Sequence, residues 1–128
     1  MSSVLHHLSN GAKFLQIPME GVRSVTVLAL VNAGRRYETE SVAGISHFLE
    51  HMVFKGTKKY PTARDLSAAI DQLGGEFNAF TSKEYTGYYA KLASPYMDTA
   101  LDVVSDMLCT PLLRQSDIDK ETGVIVEE

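Results

Sequence analysis

The chain has 128 residues, of which 45% are hydrophobic and 22% are charged, and its formal net charge at pH 7 is −4. This composition excludes a disordered or fibrous chain. The length suits one globular domain, residues 1–128, that buries about two-thirds of its unfolded surface. The mild acidity argues against nucleic acid or an anionic membrane surface as a partner, and no run approaches the roughly 20 apolar residues of a membrane span.

The single cysteine, Cys109, excludes an internal disulfide and a zinc cluster built from thiolates. Any metal ion must therefore be bound by histidine and carboxylate side chains. Cys109 lies in an apolar stretch with helical spacing, where we expect it to be packed in the core.

The first predicted elements are strands. Residues 4–8 and 13–19 flank Asn10-Gly11, a pair that can take the positive φ angles of a tight hairpin. Residues 25–31 form a nearly unbroken apolar run that is rich in β-branched side chains. This run predicts a central strand covered on both faces.

Two helices are predicted next. Residues 45–53 place apolar side chains at helical spacing, and Gly56 is expected to end this amphipathic helix. The second helix has Thr62 as its N-cap, Asp65 three residues later, and the Gly74-Gly75 pair as its stop signal.

Residues 76–82 and 85–93 predict two further strands joined by a short polar turn. Ser94-Pro95, a capping residue followed by proline, opens a long helix that Pro111 ends. The buried stripe of this helix is predicted to be Leu101, Val104 and Leu108.

The last segment, residues 115–128, is compatible with a helix or a strand. Ser116 as N-cap with Asp119 three residues on is a capping-box pattern. In contrast, the β-branched run at 124–126 favours a strand, and Gly123 weakens a helix. Grouped strands, interleaved helices and hairpin-length connections predict a single α+β domain with a largely antiparallel sheet packed against helices.

The segment HFLEH, which starts at His47, has the clearest chemical pattern. A helix advances about 100° per residue, so His47, Glu50 and His51 share an arc of roughly 100° opposite the apolar stripe. Histidines one turn apart can bind one zinc ion at about 2.0–2.1 Å, and Glu50 is a candidate base for a zinc-bound water. A solvated helix face that contains histidine by chance is the less favoured alternative. By contrast, His6 and His7 are neighbours on a strand, and their side chains point to opposite faces, where they cannot easily share a metal ion. We therefore expect both to be surface residues.

A catalytic zinc site needs a third protein ligand from elsewhere in the fold. If the last segment is helical, Glu121 and Glu128 face the same way within about 20°, whereas Glu127 is rotated by roughly 100°. Spacing thus favours Glu121 or Glu128 over Glu127 and leaves the choice between those two open. A purely structural zinc is disfavoured, because such sites close with four protein ligands and favour cysteine.

Several sequence blocks, in this order, resemble the pitrilysin/insulinase family of zinc metallopeptidases, the inverzincins, in its processing-peptidase branch. The blocks are NAGRRYE, HFLEHMVFKGT, LGGEFNAFTSKEYTGYYAKL and KETGVIVEE. The resemblance implies one Zn²⁺ per site, with Glu128 as the third ligand beside His47 and His51. It also implies that Glu121 supports the site, that Glu50 activates the zinc-bound water, and that the last segment is a helix.

The resemblance implies a function as well: a zinc-dependent metalloendopeptidase that cleaves peptides or presequence-like extensions. The peptide is expected to bind as a strand added to the sheet edge at Asn78, Ala79, Phe80 and Thr81. Phe80 would equally suit plain packing. The alternative is a non-catalytic family member, or a fragment, that serves assembly or peptide binding.

The resemblance further implies that the chain is the zinc-binding N-terminal portion of a metallopeptidase domain. The isolated chain is expected to be weakly active or inactive, and the full-length form to be a homo- or heterodimer. A bacterial cytoplasmic location is predicted, with an organellar matrix as the alternative.

Overall fold

The computed structural model describes residues 2–127. The N-terminal hairpin pairs β1 (Val4–His7) with β2 (Lys13–Gln16) in antiparallel register. Its turn contains Gly11 at φ +88°, as the hairpin prediction requires. All eight strand residues are exposed, including His6 and His7. The predicted hairpin and the surface position of this histidine pair are confirmed.

In the described part of the chain the main sheet has three antiparallel strands: β3 (Ser24–Val31), β4 (Glu76–Thr81) and β5 (Thr86–Ala93), in the spatial order β3-β5-β4. The prediction that residues 25–31 form a central strand covered on both faces was wrong. β3 lies at the edge, and its outward side chains Leu28 and Leu30 are 49% and 60% exposed. An apolar run does not encode the order of strands in a sheet, and β5 takes the central position instead.

Within residues 2–127, four α-helices accompany the sheet, together with 3₁₀ turns at Arg35–Tyr37, Glu40–Val42 and Ser94–Tyr96. The helices are α1 (Ile45–Met52), α2 (Ala63–Asp71), α3 (Met97–Cys109) and α4 (Gln115–Glu127). The core lies on one face of the sheet, where side chains of α2 and α3 pack on β5. Its fully buried members include Leu66, Ile70, Ala90, Val103 and Met107. The predicted α+β fold with an antiparallel sheet is confirmed.

Helix α2 begins and ends as its sequence predicts. The Thr62 hydroxyl accepts from the Asp65 amide, and the Asp65 carboxylate accepts from the Thr62 amide. At the other end Gly74, at φ +68°, donates to Asp71, and the Gly75 amide donates to the Ile70 carbonyl at 3.2 Å. These two bonds form a Schellman motif, which satisfies the last carbonyls of the helix.

Helix α1 is shorter than predicted and only partly buried along its apolar stripe. It ends at Met52, and two further hydrogen-bonded turns lead to Gly56 at φ +141°. Met52 is fully buried, whereas Ile45 and Leu49 are 40% and 38% exposed. The core thus covers the C-terminal half of the stripe and leaves the other half at the surface.

The start of α3 differs from the sequence prediction. Ser94 makes no side-chain cap and belongs to a 3₁₀ turn that also contains Pro95. The helix itself begins at Met97 without a side-chain cap. The buried residues of α3 are Ala100, Val103, Val104 and Met107, whereas Leu101 is 43% exposed.

The ends of the last two helices also differ from the prediction. Cys109, the last residue of α3, is exposed, so the prediction of a packed core cysteine was wrong. Helix α4 begins one residue before Ser116, which therefore is not its N-cap. Asp119 accepts from the Gln115 side chain at 2.8 Å. The β-prone run 124–126 is helical, in agreement with the family resemblance.

Candidate active site

The polar face of α1 packs against α4 and the end of β4. His47 and His51 bring their Nε2 atoms to 3.0 Å from each other, and their rings are nearly perpendicular, at 83°. Two nitrogens at about 2.0–2.1 Å from one tetrahedral zinc ion are roughly 3.3–3.4 Å apart. The observed separation is within a few tenths of an ångström of that value, so the two imidazoles fit as a pair of zinc ligands.

Glu121 of α4 holds the second nitrogen of His51. Its Oε1 atom lies 2.6 Å from His51 Nδ1, and its Oε2 atom lies 2.8 Å from Lys55 Nζ. An ionised carboxylate only accepts hydrogen bonds, so Nδ1 of His51 bears the hydrogen. In a neutral imidazole the lone pair is then on Nε2, the atom that faces His47. A carboxylate behind a histidine is the usual support of a metal-binding imidazole.

Glu121 is also the most buried charged side chain among the described residues, at 4% exposure. Burial alone would raise the pKa of this carboxyl group. The hydrogen bonds from Lys55 and His51, together with the positive charge of Lys55, outweigh burial and hold the pKa below its ordinary value. Glu121 is therefore an anion at neutral pH, as a supporting carboxylate must be.

The Glu50 side chain extends from α1 to the last residue of β4. Its Oε2 atom accepts a hydrogen bond from the Thr81 hydroxyl. Burial, and then the negative charge of Glu50, raise the pKa of Tyr88 on the neighbouring strand. Glu50 thus has one oxygen held by the sheet, which limits the rotation of its carboxylate.

An open cleft of about 280 Å³ lies over this group of side chains. It is lined by Glu50, His51, Phe54, Lys55, Asn78 and Glu121. A carboxylate, an imidazole and the edge of the sheet therefore border one cleft. Converging polar groups in a cleft mark it as the candidate functional site.

The predicted substrate strand, Asn78 to Thr81, lies at the sheet edge. Within residues 2–127, β4 pairs with β5 and with no other strand. The Ala79 amide donates to the Asn78 side-chain oxygen at 2.8 Å. Phe80 is 39% exposed, and its ring covers Gly87, where a Cβ atom would lie 2.2 Å from Phe80 Cζ. Phe80 therefore packs on the outer face of the sheet, as the alternative reading allowed.

The third predicted ligand, Glu128, lies outside the described residues. Among residues 2–127 no group of three histidine, cysteine, aspartate or glutamate side chains could hold a metal ion. The described part thus brings together His47, His51 and Glu121, with Glu50 beside them.

Two features of the site were missed in the sequence. Lys55, which pairs with Glu121, follows His51 by four residues and lies in the turns just after α1. On the predicted helix, which was expected to end at Gly56, this spacing puts Lys55 on the face of His51 and was a usable signal. The contact of Thr81 with Glu50 joins residues 31 apart in the chain, and no local sequence pattern predicts it.

Comparisons with known proteins find similar sequences and a similar structure over nearly the whole chain. Residues 16–128 match the family model described as insulinase, peptidase family M16. The chain is 46% identical over 121 residues to a protein of Streptomyces coelicolor named as a zinc protease, covering 94% of this chain and 26% of that protein. It is 44% identical over 119 residues to a similarly named protein of Bacillus subtilis, covering 93% and 29%.

Two further similarities extend the comparison. The beta subunit of the mitochondrial-processing peptidase of Rattus norvegicus is 43% identical over 108 residues, covering 84% of this chain and 22% of that protein. A crystal structure of a protease from Helicobacter pylori superimposes with a TM-score of 0.91 at 27% identity, covering 98% of this chain and 30% of that one. The chain therefore spans less than a third of the length of these proteins.

Proposed function

The chain belongs to the insulinase family of peptidases, family M16, and we propose that it forms the zinc-binding portion of a metalloendopeptidase. Membership confirms the family resemblance of its sequence and supports peptide hydrolysis as the general activity. The finer proposal, hydrolysis by a zinc-activated water, rests mainly on one observation. The Nε2 atoms of His47 and His51 converge to 3.0 Å while Glu121 accepts from the other nitrogen of His51.

His47, His51 and Glu128 are the proposed zinc ligands. Support for the two histidines comes from their geometry, and Glu128 is proposed from the family resemblance. Glu121 is the proposed supporting carboxylate, because its negative charge favours the positive charge that an imidazole gains on binding a cation. When bound, zinc would acidify a coordinated water and polarise the carbonyl group of the substrate.

Glu50 is the proposed general base. It borders the same cleft as His51, and the Thr81 hydroxyl restrains one of its oxygens. In hydrolysis the water oxygen bonds to the scissile carbonyl carbon, and the carbon–nitrogen bond breaks. Glu50 would take the proton that the water loses and transfer it to the departing amide nitrogen.

We propose that the peptide adds as a strand along Asn78–Thr81. The edge position of β4 leaves one side of its backbone without a partner strand within residues 2–127. Backbone pairing there would be tolerant of substrate sequence, and side-chain pockets would add selectivity. The strand ends at Thr81, which contacts Glu50, so an added strand would run toward the proposed base.

The parent protein of this activity is proposed to be longer than the chain, which covers 26% and 29% of the two bacterial relatives. We propose that residues 1–128 are the N-terminal portion of its metallopeptidase domain. In isolation this portion would cleave peptides weakly or not at all. One relative is named as a subunit, which supports a homo- or heterodimer for the full-length form.

Location stays a prediction. No helix within residues 2–127 is long and apolar enough to cross a membrane. The bacterial zinc proteases among the relatives support the predicted bacterial cytoplasm, and the mitochondrial one supports the organellar alternative.

The experiment that tests the function uses Glu50→Gln in the longest polypeptide that the coding frame encodes. The variant should bind zinc as the unaltered protein does and lose peptide hydrolysis by about 10²-fold or more, since a general base contributes roughly 10²–10⁴-fold. Glu20→Gln, at an exposed carboxyl outside the site, is the matched control and should cleave normally. Cleavage by Glu50→Gln at the unaltered rate would show that the assigned base is wrong.

A further inference from the structure

Glu38 makes two contacts at the start of the helix that contains both histidines. Its Oε2 atom accepts from the Gly44 amide at 2.7 Å, and its Oε1 atom accepts from the Ser46 amide at 2.9 Å. The first amides of a helix have no partner inside the helix. In the described structure, the N-cap residue of α1 is Gly44, which has no side chain, and no residue of its first turn is acidic. A carboxylate from outside the helix therefore takes the place of the missing cap.

The backbone that precedes Glu38 is anchored to the turn between β4 and β5. The Arg36 amide donates to the Lys83 carbonyl at 2.8 Å, and the Arg36 guanidinium pairs with Glu84 at 2.6 Å. Gly34 lies so close to this turn that a Cβ atom would be 2.7 Å from the Lys83 carbonyl oxygen. The backbone just before Glu38 is thus fixed against the sheet, and the position of its carboxylate follows from that docking.

The same turn follows the strand end that contacts Glu50. Thr81, the last residue of β4, donates to Glu50 in the middle of α1, while Glu38 bonds the first turn of α1. Two points of the helix are therefore tied to one end of the sheet. Ser46, whose amide donates one of these bonds, directly precedes His47 in the chain.

From these contacts we infer that Glu38 is a positioning residue for the metal-binding helix: its carboxylate fixes where α1 begins and so aligns His47 with His51. The inference rests on the proposed function, because the alignment matters for zinc. Glu38 acts through backbone amides. A carboxylate at a helix N-terminus is also favoured by the helix dipole. The amides of Ser46 and then Gly44 hold the pKa of Glu38 below its ordinary value, in keeping with a persistent anion there.

The test compares Glu38→Ala and Glu38→Gln with Glu40→Ala in the full chain. Glu40 is exposed and two residues further along, so its variant matches the change in charge. Zinc affinity is measured by competition with a chromophoric chelator, and ligand geometry by the absorption spectrum of bound Co²⁺. Amide hydrogen exchange of Ser46 and His47 is measured on the metal-free chain.

We expect Glu38→Ala to weaken zinc binding by roughly 10-fold, the lower end of the range for residues that orient metal ligands. Its Co²⁺ spectrum should shift, and the two amides should exchange faster. Glu38→Gln keeps one acceptor oxygen and should recover part of the affinity, and it replaces the alanine variant if that one does not fold. Glu40→Ala should match the unaltered chain in all three measurements.

Two outcomes separate the possible failures. If Glu38→Ala lowers the melting temperature but leaves zinc affinity and the Co²⁺ spectrum unchanged, Glu38 is only a stabilising cap and the inference is wrong. If the unaltered chain binds no zinc, the proposed function fails instead. Amide exchange then decides alone whether Glu38 fixes the start of α1, and unchanged exchange would overturn that role too.

Discussion

The molecule has two pairs of histidines, and their surroundings are opposite. His6 and His7 are exposed on the N-terminal hairpin, where His6 stacks on Phe14 with the ring centroids 5.5 Å apart. His47 and His51 lie on α1 with their Nε2 atoms 3.0 Å apart, and a buried carboxylate holds the second ring. The presence of a histidine pair in the sequence therefore does not by itself indicate a metal site. A metal site needs convergent nitrogens and a partner that fixes the tautomer.

The contrast extends to the burial of each region. The hairpin leaves apolar side chains at the surface: Leu15, for example, is 53% exposed. Around α1, by comparison, the ionised side chain of Glu121 is only 5% exposed. Burying a charge costs free energy unless it is paired, and here Lys55 supplies the opposite charge and His51 a hydrogen bond. Buried carboxylates of this kind are frequent at functional sites and also occur in structural ion pairs.

The largest expected difference between the two regions is in stability. Met52→Ala, at a fully buried position of α1, should lower the free energy of unfolding by about 2–5 kcal/mol, because it leaves a cavity in the core. Leu15→Ala in the hairpin should change it by no more than about 0.5 kcal/mol. Urea unfolding of the 128-residue chain measures both. Equal losses would mean that the hairpin is packed as tightly as α1.

The second largest expected effect is on zinc affinity. Glu121→Gln should weaken zinc binding by about 10–100-fold, since a neutral amide no longer balances the charge that His51 gains. Asp119→Asn, at an exposed carboxylate on the same helix, is the matched control. Chelator competition gives both affinities, and similar affinities for the two variants would remove Glu121 from the site.

The smallest expected effect is on the free energy of unfolding at acidic pH. The pKa of Glu121 is lower in the folded chain than its ordinary value of 4.5. Its contribution is therefore complete above pH 4.5 and is lost as the pH falls through the lower, folded pKa. In metal-free protein, Glu121→Gln should make the decline in unfolding free energy below pH 4.5 shallower. An unchanged decline would contradict the ion pairs described here.

Local patterns were sufficient to predict much of the fold. The Asn10-Gly11 turn, the capping box of Thr62 and the amphipathic α1 all depend on residues within a few positions of each other. The order of strands in a sheet depends on residues that are far apart in the chain, so β3 was wrongly expected at the centre of the sheet. The 3₁₀ turn before α3 likewise delays the start of the helix.

In the candidate site, too, the features that depend on nearby residues were predicted and the contacts between distant residues were harder to predict. The pattern of His47, Glu50 and His51 follows from one helix face, and their common placement beside one cleft agrees with it. The pairing of Glu121 with His51 joins residues 70 apart. Helical spacing made Glu121 one of two candidate ligands, and the family resemblance gave it the supporting role. Glu128, outside the described residues, stays a prediction.

The most direct test of the zinc site is the amount of zinc bound per chain, measured by metal analysis after dialysis. The unaltered chain and His7→Ala should each retain one zinc ion, and His51→Ala should retain none. This pair of variants removes one histidine from each region and so tests the contrast between them. Zinc retained by His51→Ala, or absent from the unaltered chain, would contradict the assignment of His47 and His51 as its ligands.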